Sequence, residues 1–161
     1  MLASAPFRIA AAQYDIAFLD DWSAYERKIE RWFDDAVTRG ARFLVFPEYF
    51  SMELASLFGK DVYSSLSRQL EALQEVLPDF LALFEALAIR HRVYIVAGTY
   101  PVRQDDGSYR NRSFLFRPDG SREAQDKLQM TRFENERWII TAGDRIDVFA
   151  TEFGTVGIDV C

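Results

Sequence analysis

A single cysteine and a single histidine occur in 161 residues, which excludes an intrachain disulfide and a transition-metal site built from several Cys or His ligands. No stretch approaches the roughly 18 apolar residues of a membrane span. The N-terminus Met1-Leu2-Ala3-Ser4-Ala5-Pro6-Phe7-Arg8 has no basic region leading into an apolar one. An excess of basic residues is also missing, because 19 Lys and Arg stand against 25 Asp and Glu for a formal net charge of -6. That balance argues against a cationic face for nucleic acid and against a polybasic membrane anchor. The expectation is a cytoplasmic protein whose partner is a small molecule or another protein. Against these shortages stands an apolar share of 49%, enough for the core of one domain, and an aromatic share of 15% led by Phe. Composition alone leaves open whether the rings form a dense core or an aromatic pocket.

Phe7 to Tyr14 is short and apolar and reads as a buried strand. Trp22, Tyr25, Ile29, Trp32, Phe33, Ala36 and Val37 then recur at helical spacing, with Asp20, Asp21 or Ser23 to cap the start and Gly40 to stop the end. Phe43-Leu44-Val45-Phe46 has the continuous apolar pattern of a strand covered on both faces. Strand, helix, strand implies a parallel pair with a right-handed crossover. From Ser65 to Arg92 the helical period persists, with Pro78 either kinking the run or opening a second helix. Val93 to Thr99 is another buried strand. Asp105-Asp106-Gly107 and Pro118-Asp119-Gly120 are turns around strands at Tyr109 to Arg117 and near Glu123 to Leu128. Arg145 to Ala150 and Thr155 to Val160 read as two further strands joined through Phe153-Gly154. The fold class is layered α/β. Its last strand runs into Cys161 with nothing to cover it, and domains seldom stop in mid-element, so residues 1–161 read as the amino-terminal part of a single longer domain.

Three ionisable residues fall where strands are expected to end, which is where sites form in open α/β sheets. They are Glu48, Lys127 and Cys161. A thiol needs a base to become a nucleophile, a carboxylate can serve, and an ammonium can stabilise an oxyanion. Each also has a plain alternative: Glu48 as a first-turn carboxylate after Pro47, Lys127 as a solvated charge, Cys161 as a small buried hydrophobe. Spacing by itself does not decide between them. His91, between Arg90 and Arg92 at a helix end, fits dipole compensation better than catalysis.

Phe46-Pro47-Glu48-Tyr49-Phe50, Asp126-Lys127-Leu128-Gln129-Met130-Thr131-Arg132-Phe133-Glu134 and Gly157-Ile158-Asp159-Val160-Cys161 resemble, in the right order, the three signature segments of the carbon–nitrogen hydrolase family, also called the nitrilase superfamily. Gln13, Val96 to Pro101, Asn111 and Pro118-Asp119-Gly120 look like the family's spacer elements. The resemblance implies a four-layer α-β-β-α sandwich, here truncated, in subunits that form homo-oligomers. It makes Glu48 the general base, Lys127 the oxyanion-stabilising cation and Cys161 the nucleophile. A second, supporting glutamate would be Glu134, with Glu136 as rival and a charged surface face as the alternative for both. Tyr49, Phe50 and Trp138 neighbour the motifs and are candidate substrate contacts, or core.

Burial disfavours the charges on Glu48 and Lys127 while mutual attraction favours them, so the two should titrate as a coupled pair. The implied reaction is attack of the Cys161 sulfur on a small-molecule amide, or less readily a nitrile or carbamoyl group, and hydrolysis of the resulting thioester. No cofactor and no metal is needed, and the base is a carboxylate instead of a histidine. Two alternatives remain open: acyl transfer to another acceptor at the same site, and a non-catalytic binding or scaffold module with a vestigial site. The isolated 161 residues are expected to be inactive.

Overall fold

A computed structural model describes residues 6–161; the first part of the N-terminal segment, residues 1–5, lies outside the described residues. Strand β1 (Arg8–Ala11) leads through a loop to helix α1 (Trp22–Thr38) and back to β2 (Ala41–Val45), which pairs parallel with β1. Of the three candidate caps, Asp21 is the one used: its Oδ1 accepts from the Ala24 N–H at 2.7 Å. A 3-10 helix (Phe50–Phe58) and the short α2 (Lys60–Tyr63), neither expected from the sequence, carry the chain to α3 (Leu66–His91). α3 is one helix that runs through Pro78. Pro78 is exposed, so water can take the carbonyl that its missing N–H leaves free.

The rest of the chain is strand-rich. β3 (Tyr94–Val96) pairs parallel with β2 and antiparallel with β5 (Tyr109–Phe116). β4 (Tyr100–Arg103) pairs antiparallel with the first half of β5, and β6 (Arg122–Asp126) lies along β5 as well. β4 was not legible because Pro101 reads as a strand end; it is tolerated in the terminal strand of the sheet order β1-β2-β3-β5-β4. A separate two-stranded ribbon, β7 (Val148–Thr151) with β8 (Gly154–Gly157), completes the described elements. Both strands are shorter than expected. The ladder ends at Val148↔Gly157, so Ile158–Cys161 lies outside regular structure instead of forming the end of the last strand.

Alternation along the strands explains the layering. Leu44 of β2 and Phe46 just after it join Phe33 of α1 and Phe80 and Phe84 of α3, while Phe43 faces the other way with Tyr94, Val96, Leu115 and Phe149 of β7. The layers present are therefore helices, six-stranded mixed sheet and two-stranded ribbon. The aromatic excess is core: Phe33, Phe46, Phe50, Phe80, Phe84 and Phe116 are buried, with neighbouring ring centroids 4.7 to 6.1 Å apart. Each such ring contributes about 2 kcal/mol through its burial. No described helix is long and apolar enough to cross a membrane.

Two features fix the segment that follows β2. Glu53 of the 3-10 helix is buried and accepts from Lys28 Nζ of α1 at 2.6 Å, from Tyr14 Oη at 2.7 Å and from the Ala17 N–H at 2.8 Å. Burial first, and then the Glu53 carboxylate, push the Tyr14 phenol well above its ordinary range, so it remains a donor. Gly98, between β3 and β4, has φ +50°, and a Cβ there would lie 2.1 Å from the Pro47 carbonyl oxygen and 2.6 Å from Phe50 Cδ1. Only a residue without a side chain lets the two segments meet. Gly98→Ala is expected to lower stability by about 3 kcal/mol, read as a reduced urea midpoint; an unchanged midpoint would mean the Pro47–Phe50 segment can move aside.

Candidate active site

The turn after β2 sends three consecutive side chains to three places. Glu48 faces a polar cluster, Tyr49 reaches across to Glu134, and Phe50 enters the core. Tyr49 accomplishes this with a left-handed backbone, φ 58°, a conformation costing a non-glycine residue about 1 to 2 kcal/mol. Its N–H is held by Thr99 Oγ1 at 2.9 Å. Phe50 is fully buried between Phe46, Phe80 and Phe84, so of its two readings, substrate contact or core, it is core.

Lys127 follows the last residue of β6 and is buried, 2% exposed, so the surface-charge alternative fails. Its backbone N–H donates to the Asn111 carbonyl at 2.9 Å, which continues the β5–β6 pairing by one residue. Its ammonium donates to Glu48 Oε1 at 2.8 Å and lies 3.0 Å from Glu134 Oε2 and 3.2 Å from Glu134 Oε1. Burial alone would push this ammonium down, but the hydrogen bonds and charges of Glu48 and Glu134 outweigh it and hold Lys127 above the ordinary lysine range.

Glu134 opens a short π-helical turn (Glu134–Trp138) and is 2% exposed. Thr131 and Glu134 form a reciprocal pair of the capping-box type: the Thr131 N–H and Oγ1 each donate to Glu134 Oε2 at 2.8 Å, and the Glu134 N–H points back to Thr131 Oγ1 at 3.3 Å. Tyr49 Oη donates to Oε1 at 2.5 Å. Burial would raise the Glu134 carboxyl, yet Tyr49, Thr131 and Lys127 together hold it below the usual carboxylate range. Glu136 is exposed and pairs with Arg132, which separates the two glutamates the sequence left as rivals. Tyr49, half-buried, has its phenol pushed well up, first by burial and then by Glu134, so it donates throughout the working range. Trp138 stands edge-on to Tyr49 at 4.7 Å and packs with Leu70, Tyr109 and Ile140, supporting Tyr49 from behind.

Glu48 and Cys161 line one cleft of about 360 Å³ between the six-stranded sheet and the segment after β8, together with Thr99, Ser113, Val156 and Ile158. Cys161 is exposed among the described residues. Lys127 does not line this cleft; it touches the two carboxylates. Sequence reasoning missed Asn111 and Ser113 as site residues. A signal existed: Tyr109, Asn111, Ser113 and Leu115 form the buried alternation of β5, and two polar residues in that register stand out.

Comparison with known proteins agrees with this geometry. The sequence pattern described as Carbon-nitrogen hydrolase matches residues 8–161. The chain belongs to the carbon-nitrogen hydrolase family. It is 33% identical over 156 residues to the Bacillus subtilis (strain 168) protein named "Probable hydrolase YhcX", covering 97% of this chain and 30% of that protein. It is 23% identical over 138 residues to the chloroplastic omega-amidase of Arabidopsis thaliana, covering 80% and 35%. Among solved structures, a carbon-nitrogen hydrolase from Helicobacter pylori G27 superposes with TM-score 0.74 at 19% identity, covering 96% of this chain and 51% of that one. A variant of an amidase from Nesterenkonia sp. AN1, carrying the acetamide moiety of fluoroacetamide on its active-site cysteine, superposes with TM-score 0.67 at 18% identity, covering 96% and 55%. The fold is therefore that of the nitrilase superfamily. The chain spans about a third of the curated relatives it matches and about half of the solved ones.

The depressed Glu134 carboxyl and elevated Lys127 ammonium set the pH limits of the cluster. Glu134 contributes stability fully above the ordinary glutamate value of about 4.3, lost as pH falls through its lower folded value. Lys127 contributes fully below about 10.4, lost as pH rises through its higher folded value. Glu134→Gln is expected to remove about 2 kcal/mol at pH 7, and the gap to wild type should begin to narrow as pH falls below about 4.3. Urea unfolding between pH 3 and 8 reads both; a gap independent of pH would show that the charge of Glu134 is not what stabilises.

Proposed function

We propose that the full-length protein hydrolyses small, non-peptide amides through a covalent acyl-enzyme on Cys161. The observation that carries this reading is that Cys161 shares a cleft with Glu48, a carboxylate anchored 2.8 Å from a buried ammonium. Relatives named as amidases support amides over nitriles as substrate class. Matches that cover about half of the solved relatives support reading residues 1–161 as the amino-terminal part of a larger hydrolase domain, and turnover is assigned to the whole protein.

In the proposed course Glu48 takes the thiol proton, the sulfur attacks the amide carbonyl carbon, and the carbonyl oxygen becomes an oxyanion. Lys127, hydrogen-bonded to Glu48 and Glu134, is the cation assigned to balance the developing oxyanion. Glu48 returns the proton to the leaving nitrogen, the C–N bond breaks, and a thioester remains. Water, deprotonated by Glu48, then attacks the thioester and releases the acid and the free thiol.

Replacing the sulfur removes the covalent step. Cys161→Ala in the full-length protein is expected to lower turnover of short aliphatic amides by about four orders of magnitude. Wild type quenched during turnover should carry the acyl group as added mass on the peptide containing Cys161. Retained turnover in the variant would remove Cys161 from the reaction.

A further inference from the structure

Both hydrogens of the Asn111 side-chain amide are directed at the site carboxylates. Nδ2 lies 2.7 Å from Glu48 Oε1 and 3.3 Å from Glu134 Oε1. Lys127 Nζ donates to the same two oxygens, at 2.8 and 3.2 Å. Two donors and two acceptors thus close a four-cornered ring. The amide orientation follows from chemistry: ionised carboxylates only accept, so the NH2 end must face them and Oδ1 must face away. Asn111 is fully buried, and Oδ1 has no partner among the described residues. Leaving a buried acceptor unpaired is unfavourable, so this amide is retained for its donors. Its backbone carbonyl meanwhile holds the Lys127 N–H. One residue therefore registers both the glutamate and the lysine.

Among the described residues both side-chain hydrogen bonds of Glu48 fall on Oε1, and none on Oε2. We propose that Asn111 is a positioning residue for proton transfer: with Lys127 it occupies Oε1 of Glu48, so that Oε2 is the oxygen that exchanges the proton. This rests on the assignment of Glu48 as the base for Cys161. The Sγ–H bond breaks, an Oε2–H bond forms, and the thiolate keeps the electron pair; the same Oε2 proton later passes to the leaving nitrogen. The charged and titratable groups around this path are Lys127, Glu134 with its partner Tyr49, and, on the cleft wall, Asp159 and Cys161 itself. Asn111 is the neutral member of the set.

The test needs no identified substrate. Alkylation of Cys161 by iodoacetamide is followed by site-resolved mass spectrometry from pH 4 to 10 in the full-length protein and in Asn111→Leu, Asn111→Asp and Glu48→Gln. Losing a donor to the carboxylate disfavours its charged form, so in Asn111→Leu the acid limb of the rate profile should move up by about one pH unit. Asn111→Asp, of equal size, should move it further in the same direction by adding a like charge. Should Asn111→Leu fail to fold, as judged by circular dichroism, Asn111→Asp carries the comparison. A lowered melting temperature with an unmoved limb in the folded Asn111 variant would reduce Asn111 to a structural role and overturn the proposal, provided Glu48→Gln does shift the profile. A profile unmoved by Glu48→Gln would instead overturn the assignment of Glu48 as base.

Discussion

The structure around the cleft depends on one ammonium shared by two carboxylates. Lys127 is taken out of water at the end of β6, and an uncompensated charge there would be strongly destabilising. Glu48 and Glu134 supply the compensation, and each arrives from a different direction. Glu48 comes from the turn after β2, an interior strand of the sheet. Glu134 comes from a turn that has no partner strand and is held by Thr131, Tyr49 and Lys127. The cluster is therefore also the clamp that fastens the segment after β6 to the sheet.

The same requirement explains why the strain falls at Tyr49. Glu48 must face Lys127 and Phe50 must enter the core, and an ordinary strand would put these two residues, two apart in sequence, on one face. A left-handed residue between them solves the geometry. Gly98 makes room for it, Thr99 satisfies the freed Tyr49 N–H, and the 3-10 helix that follows is pinned through Glu53 to Lys28 and Tyr14. Core packing, backbone strain and the polar cluster are in this sense one arrangement, in which the aromatic core holds Phe50 and thereby the direction of Glu48.

Much of this was legible in the sequence. The periods of α1 and α3 and the apolar run of β2 gave these elements nearly to the residue, because their burial is set by local pattern. The signature segments singled out Glu48, Lys127, Cys161 and Glu134, and the structure gathers the first, second and fourth within hydrogen-bond reach while placing the third on the same cleft as Glu48. What escaped is what depends on contacts distant in sequence. Tyr49 was left between substrate contact and core because its hydrogen bond is to Glu134, 85 residues away. Phe50 was left open in the same way, and its neighbours Phe80 and Phe84 of α3 place it in the core. Asn111 passed for a spacer because its donors matter only once β5 brings it to Glu48, after β2, and to Glu134, after β6. The Thr131-x-x-Glu134 spacing is a local clue that distinguishes Glu134 from Glu136 and went unused in reading the sequence.

The charge balance of the cluster also bears on why its fourth member is an amide. Two carboxylates and one ammonium leave a formal excess of one negative charge in a largely buried place. A second cation at position 111 would cancel that charge, but a carboxylate held by two full positive charges is a weak base and a poor acceptor for a thiol proton. An apolar side chain there would leave Glu48 with Lys127 alone, and both oxygens of its carboxylate free to exchange roles. A neutral double donor avoids both outcomes: it lowers the energy of the charged carboxylate without neutralising it, and it breaks the symmetry between Oε1 and Oε2. The unpaired Oδ1 is the cost of that choice, since an amide that turns its NH2 toward two acceptors must turn its carbonyl toward whatever lies behind.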